Sequence, residues 1–288
     1  MTYTYYPGCS LRGTARPYEE SLVAVFEALG HDLRELADWN CCGYIAYMSV
    51  DQAQALLLAA RNLSLAEKDG LKDLLTPCSA CYVVLNRVDD FRFRYPQLVE
   101  GVLDALSEAG LPYHGGVRIR HPLDVLVDDI GIEEIKKRAL RTLEGVRVAP
   151  YYGCLYNRPH QITEETFFPS RMEELFRALG MDVIDFPLKM KCCGGSLTST
   201  VEVVGMRAVY LLLHEAKRLG ADVVVTICPL CQFNLEAYQD RVSRAFKEDV
   251  GVPVLYFTQL LGFLLGVPEK RLGLKRLLVP APRALAQA

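Results

Sequence analysis

Along the chain the spacing of apolar residues switches between a strand period and a helix period, in the same order twice. In the second half, "VRVAPYY" (146–152) is dense in β-branched and aromatic residues and reads as a strand. "SRMEELFRALG" (170–180) gathers its apolar residues on one helical face and stops at Gly180. A strand over 181–186 and a long helix over 200–220 follow. "ADVVVTI" (221–227) is a continuous apolar run, as expected of a central parallel strand covered on both faces. The first half keeps this order, with strand 2–6, helix 17–30, strand 32–36, helix 51–69 and strand 72–76. Such alternation predicts an α/β fold of two Rossmann-like domains, each with a parallel sheet.

Three stretches frame the repeats. Residues 115–145 read as a closing element followed by a connecting helix, and the first part answers "VPVLYFTQLLGFLLG" (252–266). The apolar run 252–267 contains Thr258 and Gln259 and is too short to span a bilayer, so it reads as a strand entering a buried helix. "PAPRALAQA" (280–288) reads as a loose or partner-binding tail. The duplication places an N-terminal domain at 1–145 and a C-terminal one at 146–288, and 288 residues suffice for two cores.

Composition adds little until the cysteines are counted. A chain that is 51% hydrophobic and 23% charged has an ordinary globular balance. A net charge of −3 without a Lys/Arg-rich run gives no general attraction to nucleic acid. The start, "MTYTYYPGCS", lacks the basic and apolar regions of a signal peptide, so the expected location is cytoplasmic, where thiols stay reduced unless a metal holds them.

There are ten cysteines, in two sets of five with one grammar: Cys9, Cys41, Cys42, Cys78 and Cys81, then Cys154, Cys192, Cys193, Cys228 and Cys231. Each set runs Cys, Cys-Cys-Gly, Cys-x-x-Cys, with 31 and 35 intervening residues in the first and 37 and 34 in the second. The flanks match as well: "YYPGC" (5–9) answers "PYYGC" (150–154), and "FEALGHDL" (26–33) answers "FRALGMDV" (176–183). Every set member follows a predicted strand, so the parallel fold brings them to the carboxyl edge of each sheet, where ligands bind. The Cys-x-x-Cys pairs enter helices, where free amides and the helix dipole favour thiolate. Adjacent side chains normally diverge, and Gly43 and Gly194 permit the sharp bend that lets both sulfurs serve one inorganic core.

Three chemistries compete for these thiols. Sets of five cannot pair internally as disulfides, and the expected compartment is reducing. Zinc suits paired Cys-x-x-Cys units but takes four ligands, so one cluster plus one zinc remains an alternative. Iron–sulfur clusters use thiolate throughout, and a cluster larger than a simple cube has work for five. The compact ferredoxin run of cysteines is absent from the sequence.

With the motifs "YYPGCSL" (5–11), "NCCG" (40–43), "PCSACY" (77–82), "PYYGCLYNRP" (150–159), "KCCGGSLTST" (191–200) and "TICPLCQFNLE" (226–236), the chain resembles the CCG-domain proteins, specifically the B-subunit family of heterodisulfide reductase. The resemblance covers nearly the whole chain. It implies two non-cubane [4Fe-4S] clusters, one held by Cys9, Cys41, Cys42, Cys78 and Cys81, the other by Cys154, Cys192, Cys193, Cys228 and Cys231. It implies reductive cleavage of a disulfide, that of coenzyme M with coenzyme B or a relative. It also implies partners: a small ferredoxin-like protein with two [4Fe-4S] clusters (the C-subunit of such complexes), fed by a flavoprotein (their A-subunit). Family relatives also serve sulfur-oxidising, succinate:quinone and electron-bifurcating complexes, so a non-catalytic electron relay is the rival reading. Attachment to a membrane would come through such partners.

Other residues carry narrower expectations. Tyr44 and Tyr47 depart from the small residues expected after the first Cys-Cys-Gly and are expected to narrow a pocket at the first set. Arg158, Lys189 and Lys191 border the second set and either meet an anionic substrate or cluster charge, or lie solvated. Trp39 adjoins Cys41 and either shields the site or fills core. His31, His114, His121, His160 and His214 show no metal spacing. "RNLSLAEK" (61–68) reads as a plain helix face.

Overall fold

A computed structural model describes residues 1–44, 47, 49–158 and 168–286. His160 and Pro159 lie outside the described residues. Each half builds a four-stranded, all-parallel sheet. In the first, β1 (Thr2–Tyr5), β2 (Asp32–Glu35), β3 (Asp73–Leu75) and β4 (Arg118–Arg120) lie in the order β2-β1-β3-β4. In the second, β5 (Arg147–Tyr151), β6 (Asp182–Val183), β7 (Val223–Thr226) and β8 (Val254–Tyr256) lie in the order β6-β5-β7-β8. The two sheets thus share one topology, as the repeated grammar requires. The expected strand over 181–186 pairs at only two residues, because β6 is an edge strand that leaves the ladder as the chain turns toward the cysteines.

The helices of the first half are α1 (Gly8–Leu11), α2 (Arg16–Ala28), α3 (Gln52–Lys68), α4 (Ser79–Arg94), α5 (Pro96–Glu108), α6 (Pro122–Asp124) and α7 (Ile132–Arg138). Those of the second half include α8 (Arg171–Ala178), α9 (Glu202–Arg218), α10 (Pro229–Ala237), α11 (Gln239–Phe246) and α12 (Phe257–Leu264). Pro17 and Pro96 sit in the first turns of α2 and α5, where a missing N–H costs nothing. Asp51 caps α3 by accepting from the amide of Gln54. The segment 115–145 is a strand, then a helix interrupted by a seven-residue π-helical stretch, Val125–Gly131. Around that stretch Asp124, Asp128 and Asp129 meet Tyr156, Arg171 and Arg120 respectively.

The core falls into three parts. The largest lies between the two sheets and draws on both halves: Leu22, Val25 and Phe26 of α2 meet Phe257, Leu260 and Leu261 of α12, while Ile135 of α7 faces Leu175 and Phe176 of α8. The helix that closes the second half, α12, therefore packs on α2 of the first, and α7, which closes the first, packs on α8 of the second. Two outer cores cover the far faces, one with α3, α4 and α5, the other with α9, α10 and α11. The C-terminal tail is not loose: Leu285 is buried in the central core, and the amides of Leu278 and Val279 donate to Glu236 on α10. Among the described residues no helix is long and apolar enough to cross a membrane.

Candidate functional site

All ten cysteines stand at the carboxyl ends of strands, free of disulfides, and gather into two cradles. Cys9 follows β1 on the one-turn helix α1, Cys41 and Cys42 follow β2, and Cys78 follows β3 as the residue preceding α4, with Cys81 one turn on. Cys154, Cys192/Cys193 and Cys228/Cys231 occupy the equivalent places after β5, β6 and β7.

The adjacent thiols split. The sulfur of Cys41 lies 3.7 Å from that of Cys9, whereas that of Cys42 lies 3.3 Å from that of Cys81. In the second set Cys192 associates with Cys154, and Cys193 with Cys231, which in turn meets Cys228. Each Cys-Cys-Gly thus reaches both sides of its cradle. Gly43 (φ +76°) and Gly194 (φ +79°) take the left-handed bend this needs. A second glycine allows close approach: a Cβ on Gly8 would stand 3.1 Å from the Cys81 sulfur, and one on Gly153 would stand 2.9 Å from that of Cys231.

Tyrosines and asparagines hold the loops. The buried hydroxyls of Tyr6 and Tyr151 donate to the carbonyls of Asn40 and Lys191, the residues just before each cysteine pair. Asn62 in α3 accepts from the Asn40 amide and donates to its carbonyl. Asn234 in α10 donates to the Cys193 carbonyl and accepts from Thr198. Sequence reasoning overlooks these four side chains. The repeated tyrosine of "YYPGC" and "PYYGC" is the available signal for two of them, and the stretch 61–68 is no plain face, since Asn62 is fully buried.

Each cradle has an inner wall and an open side. Cys42, Cys78, Cys81, Cys193, Cys228 and Cys231 are buried, Cys9, Cys41 and Cys192 are exposed, and Cys154 is half-buried. Thiols this close cannot all ionise. Cys41 is pulled down to about 2 by hydrogen bonds from Cys42, then Cys9, and from the Gly43 amide. Cys192 falls to about 2 through Cys154, then Cys193, with the Gly194 amide and the Arg158 charge adding. Their neighbours Cys9, Cys42, Cys81, Cys154 and Cys231 are pushed up, and Cys193 rises to about 12, each led by its hydrogen bond to a neighbouring thiol. Cys228 drops to about 7, chiefly by the Cys231 thiol and then by the amides of Cys231 and Leu230 that open α10.

A cavity of about 420 Å³, including its open mouth, adjoins the second cradle; all five cysteines of that set line it with Tyr44 and Ser79 from the first half. Tyr44, expected to narrow a pocket at its own set, lines the cavity of the other, with Cys154 and Arg158 near its hydroxyl. Its repeat counterpart is Gly195, which lets the second loop lie close over Cys193. Tyr47 is 44% exposed. Arg158 is exposed and sets its charge beside Cys154 and Cys192. Lys189 pairs with buried Glu173 and donates to the Pro169 carbonyl rather than lying solvated. Lys191 contributes its carbonyl to Tyr151. Trp39 is half-buried, edge-on to Tyr6, and donates to Glu35.

The histidines have other partners. His114 binds Glu67, His214 binds Glu248, and His31 packs against Tyr3. His121 is wholly buried at the seam, its Nε2 donating to the Pro77 carbonyl while Nδ1 accepts from the Leu123 amide, so the ring is neutral, as burial dictates. Among the described residues no group of three or more His, Cys, Asp or Glu side chains is set to hold a single metal ion. The all-sulfur donor sets, five thiols strung along each cradle and floored by glycine, fit an iron–sulfur core better than one ion.

Comparison with known proteins agrees. The cysteine-rich domain model (CCG) matches twice, over residues 3–86 and 148–236. The chain is 33% identical over 287 residues to the 8-methylmenaquinol:fumarate reductase membrane anchor subunit of Wolinella succinogenes, covering 98% of both chains. It is 32% identical over 282 residues to a protein of Archaeoglobus profundus named for its likeness to the heterodisulfide reductase B-subunit, covering 95% of this chain and 94% of the other. A crystal structure of a hypothetical protein from Helicobacter pylori has the same fold, with a TM-score of 0.73 at 16% identity over 97% of this chain. This chain spans about half of that longer one, 52%. With the cysteine grammar, the duplicated sheets and these relatives in agreement, the chain belongs to the cysteine-rich CCG-domain family that includes the B-subunit of heterodisulfide reductase.

Proposed function

We propose that this chain is the iron–sulfur component at which a multi-subunit oxidoreductase reductively cleaves a disulfide. In this reading Cys9, Cys41, Cys42, Cys78 and Cys81 hold one non-cubane [4Fe-4S] cluster, and Cys154, Cys192, Cys193, Cys228 and Cys231 hold the other. The seam of the duplication falls between residues 145 and 146. Bound in the cradles, the clusters supply the two electrons, one each, that scission of an S–S bond consumes. The chain's own residues position and shield: Tyr6 and Tyr151 hold the cysteine loops, Leu155, Leu230 and Tyr44 wall the cavity against water, and Arg158 offsets the negative charge of thiolates and of an anionic substrate. Electrons arrive from a ferredoxin-like partner with two [4Fe-4S] clusters, itself fed by a flavoprotein, so the chain turns over only in its cytoplasmic or membrane-attached complex.

The observation that carries this reading is the pair of five-sulfur cradles at the sheet edges, the second of which opens on a cavity that Tyr44 and Ser79 of the other half help to line. A second reading rests on the Wolinella relative, whose name attaches it to a quinol-linked fumarate reductase: here the chain relays electrons without cleaving anything. The test is iron and acid-labile sulfide on anaerobically purified protein, with EPR before and after a disulfide is added. About eight irons per chain, with a new signal on adding disulfide, is the expected outcome. Cys42→Ala or Cys193→Ala should each remove the iron of its own set alone. Spectra that answer a quinol but no disulfide favour the relay, and iron for one cluster beside zinc overturns the two-cluster assignment.

A further inference from the structure

In each half a second helix runs beside the one that follows the cysteine pair, α5 beside α3 and α11 beside α9. The second half closes the junction with its own side chains. Glu202, which opens α9, pairs with Arg241 of α11, and Tyr210 stacks on Phe246 with ring centroids 4.0 Å apart and the Arg207 guanidinium over both rings. The first half leaves it open. A groove of about 600 Å³, including its open side, is lined by Ala53 and Leu57 of α3 and by Leu98, Gly101, Val102 and Ala105 of α5. Ala53, Leu98, Gly101 and Ala105 are exposed although apolar. Gly101 stands in the middle of α5, where glycine weakens a helix, and a Cβ there would meet nothing within 4 Å. The room it leaves serves no neighbour among the described residues, and small residues are what let a second helix approach closely. Asp104 and Glu108 follow Gly101 at three and seven residues, on the same face of α5, and among the described residues neither has an ion pair. Such an acidic edge attracts lysine and arginine and repels an anionic lipid surface.

We propose that the groove between α3 and α5 is a docking site for a helix of a partner protein, one that sets an apolar ridge between lysines or arginines. The second half models the chemistry within its own chain, where an aromatic pair lies under an arginine and a second arginine meets an acid across the two helices. The place matters for the site. The same turns of α3 hold the first cysteine loop on another face, where a Cβ on Gly43 would stand 3.0 Å from Leu58 and 3.5 Å from Ala55. A helix seated in the groove is thus separated from the loop of Cys41 and Cys42 by the width of α3, about 10 Å. A partner docked there stands beside the first set and not the second. The inference depends neither on the metal content of the cradles nor on the cleavage of a disulfide.

Fluorescence anisotropy on the full-length chain tests this, with a labelled peptide of leucine and lysine in amphipathic helical order as the probe. A leucine–glutamate peptide of the same pattern and phosphatidylserine vesicles are the comparisons. The leucine–lysine peptide is expected to bind the wild-type chain and the other two to leave it free. Gly101→Leu, which fills the groove from a position with open space, is expected to weaken binding about tenfold or more while the thermal midpoint holds or rises. Asp104→Lys combined with Glu108→Lys is expected to weaken it likewise and to flatten its dependence on salt. These two exposed positions carry the test should Gly101→Leu fail to fold. Absence of binding by the leucine–lysine peptide overturns the inference, as do equal binding of the two peptides and wild-type affinity in both variants. Vesicle binding that both variants weaken overturns it in favour of a lipid surface.

Discussion

Before the last sulfur of each Cys-x-x-Cys can close on its neighbours, the main chain must pass within van der Waals reach of it, and only glycine leaves the room. Gly153 shows the constraint most sharply, with φ at +74° and a virtual Cβ 2.9 Å from the Cys231 sulfur. Gly153→Ala should cost about 1–2 kcal/mol of backbone strain and displace Cys231, emptying the second set while the first keeps its iron. Gly70 provides the control: it has φ +71° but open space around it, so Gly70→Ala should carry the strain and retain all iron. Iron per chain and the thermal midpoint, measured together, separate cradle from strain. If Gly153→Ala loads like the control, close approach at this glycine has no part in the site. The glycines are legible in the sequence as part of the repeated motif; which sulfur each one makes room for is not.

At the scale of elements, helix α10 does two jobs. Its first turn presents Cys231 and the amides that lower Cys228, and its last turn holds the tail. Glu236 accepts from Gln232, Leu278 and Val279, and Gln232 is itself fixed by Tyr256 and the Val254 carbonyl. Burial raises the Glu236 carboxyl above its ordinary 4.5. The folded chain therefore holds this proton more tightly than the unfolded chain, so the group's contribution is fully present below 4.5 and is lost as pH climbs through the folded value. Glu236→Ala should remove that part of the pH–stability profile, followed by denaturant unfolding. It should also speed hydrogen exchange at Leu278 and Val279 by about 10- to 100-fold, the equivalent of a lost charge-assisted bond. Unchanged exchange would mean that the central core alone, through Leu285, holds the tail. The ending reads as loose in the sequence because its composition is small and proline-rich, and composition does not reveal that a carboxylate some forty residues earlier stands ready to receive its amides.

The whole molecule is a duplication whose halves lean on each other. Leu22, Val25 and Phe26 of the first half are buried only by packing that includes α12 of the second, and burial of such side chains contributes about 1.5–3 kcal/mol each. Three of them approach the entire stability of a small domain, about 5–15 kcal/mol. Residues 1–145 expressed alone should therefore aggregate or self-associate, and mixing with 146–288 should restore a soluble 1:1 pair, read by size-exclusion chromatography with light scattering. A monomeric, cooperatively folding first half would show the central core to be dispensable.

What the sequence determined by itself was whatever repeats or has a period. Strand and helix alternation dictated two parallel sheets, and the two cysteine sets, each following strands, had to meet at the carboxyl edges because parallel strands all end on one side. Helices α5 and α11 escape that reading, whereas α4 and α10 were legible as the helices that the two Cys-x-x-Cys pairs enter. Only the tertiary structure decided how the halves face each other, because that depends on which helix faces find each other across a distance no local pattern records. It was this packing that sent Tyr44 and Ser79 out of their own half into the cavity of the other, buried Lys189 against Glu173, and left the two otherwise matching cradles chemically unequal.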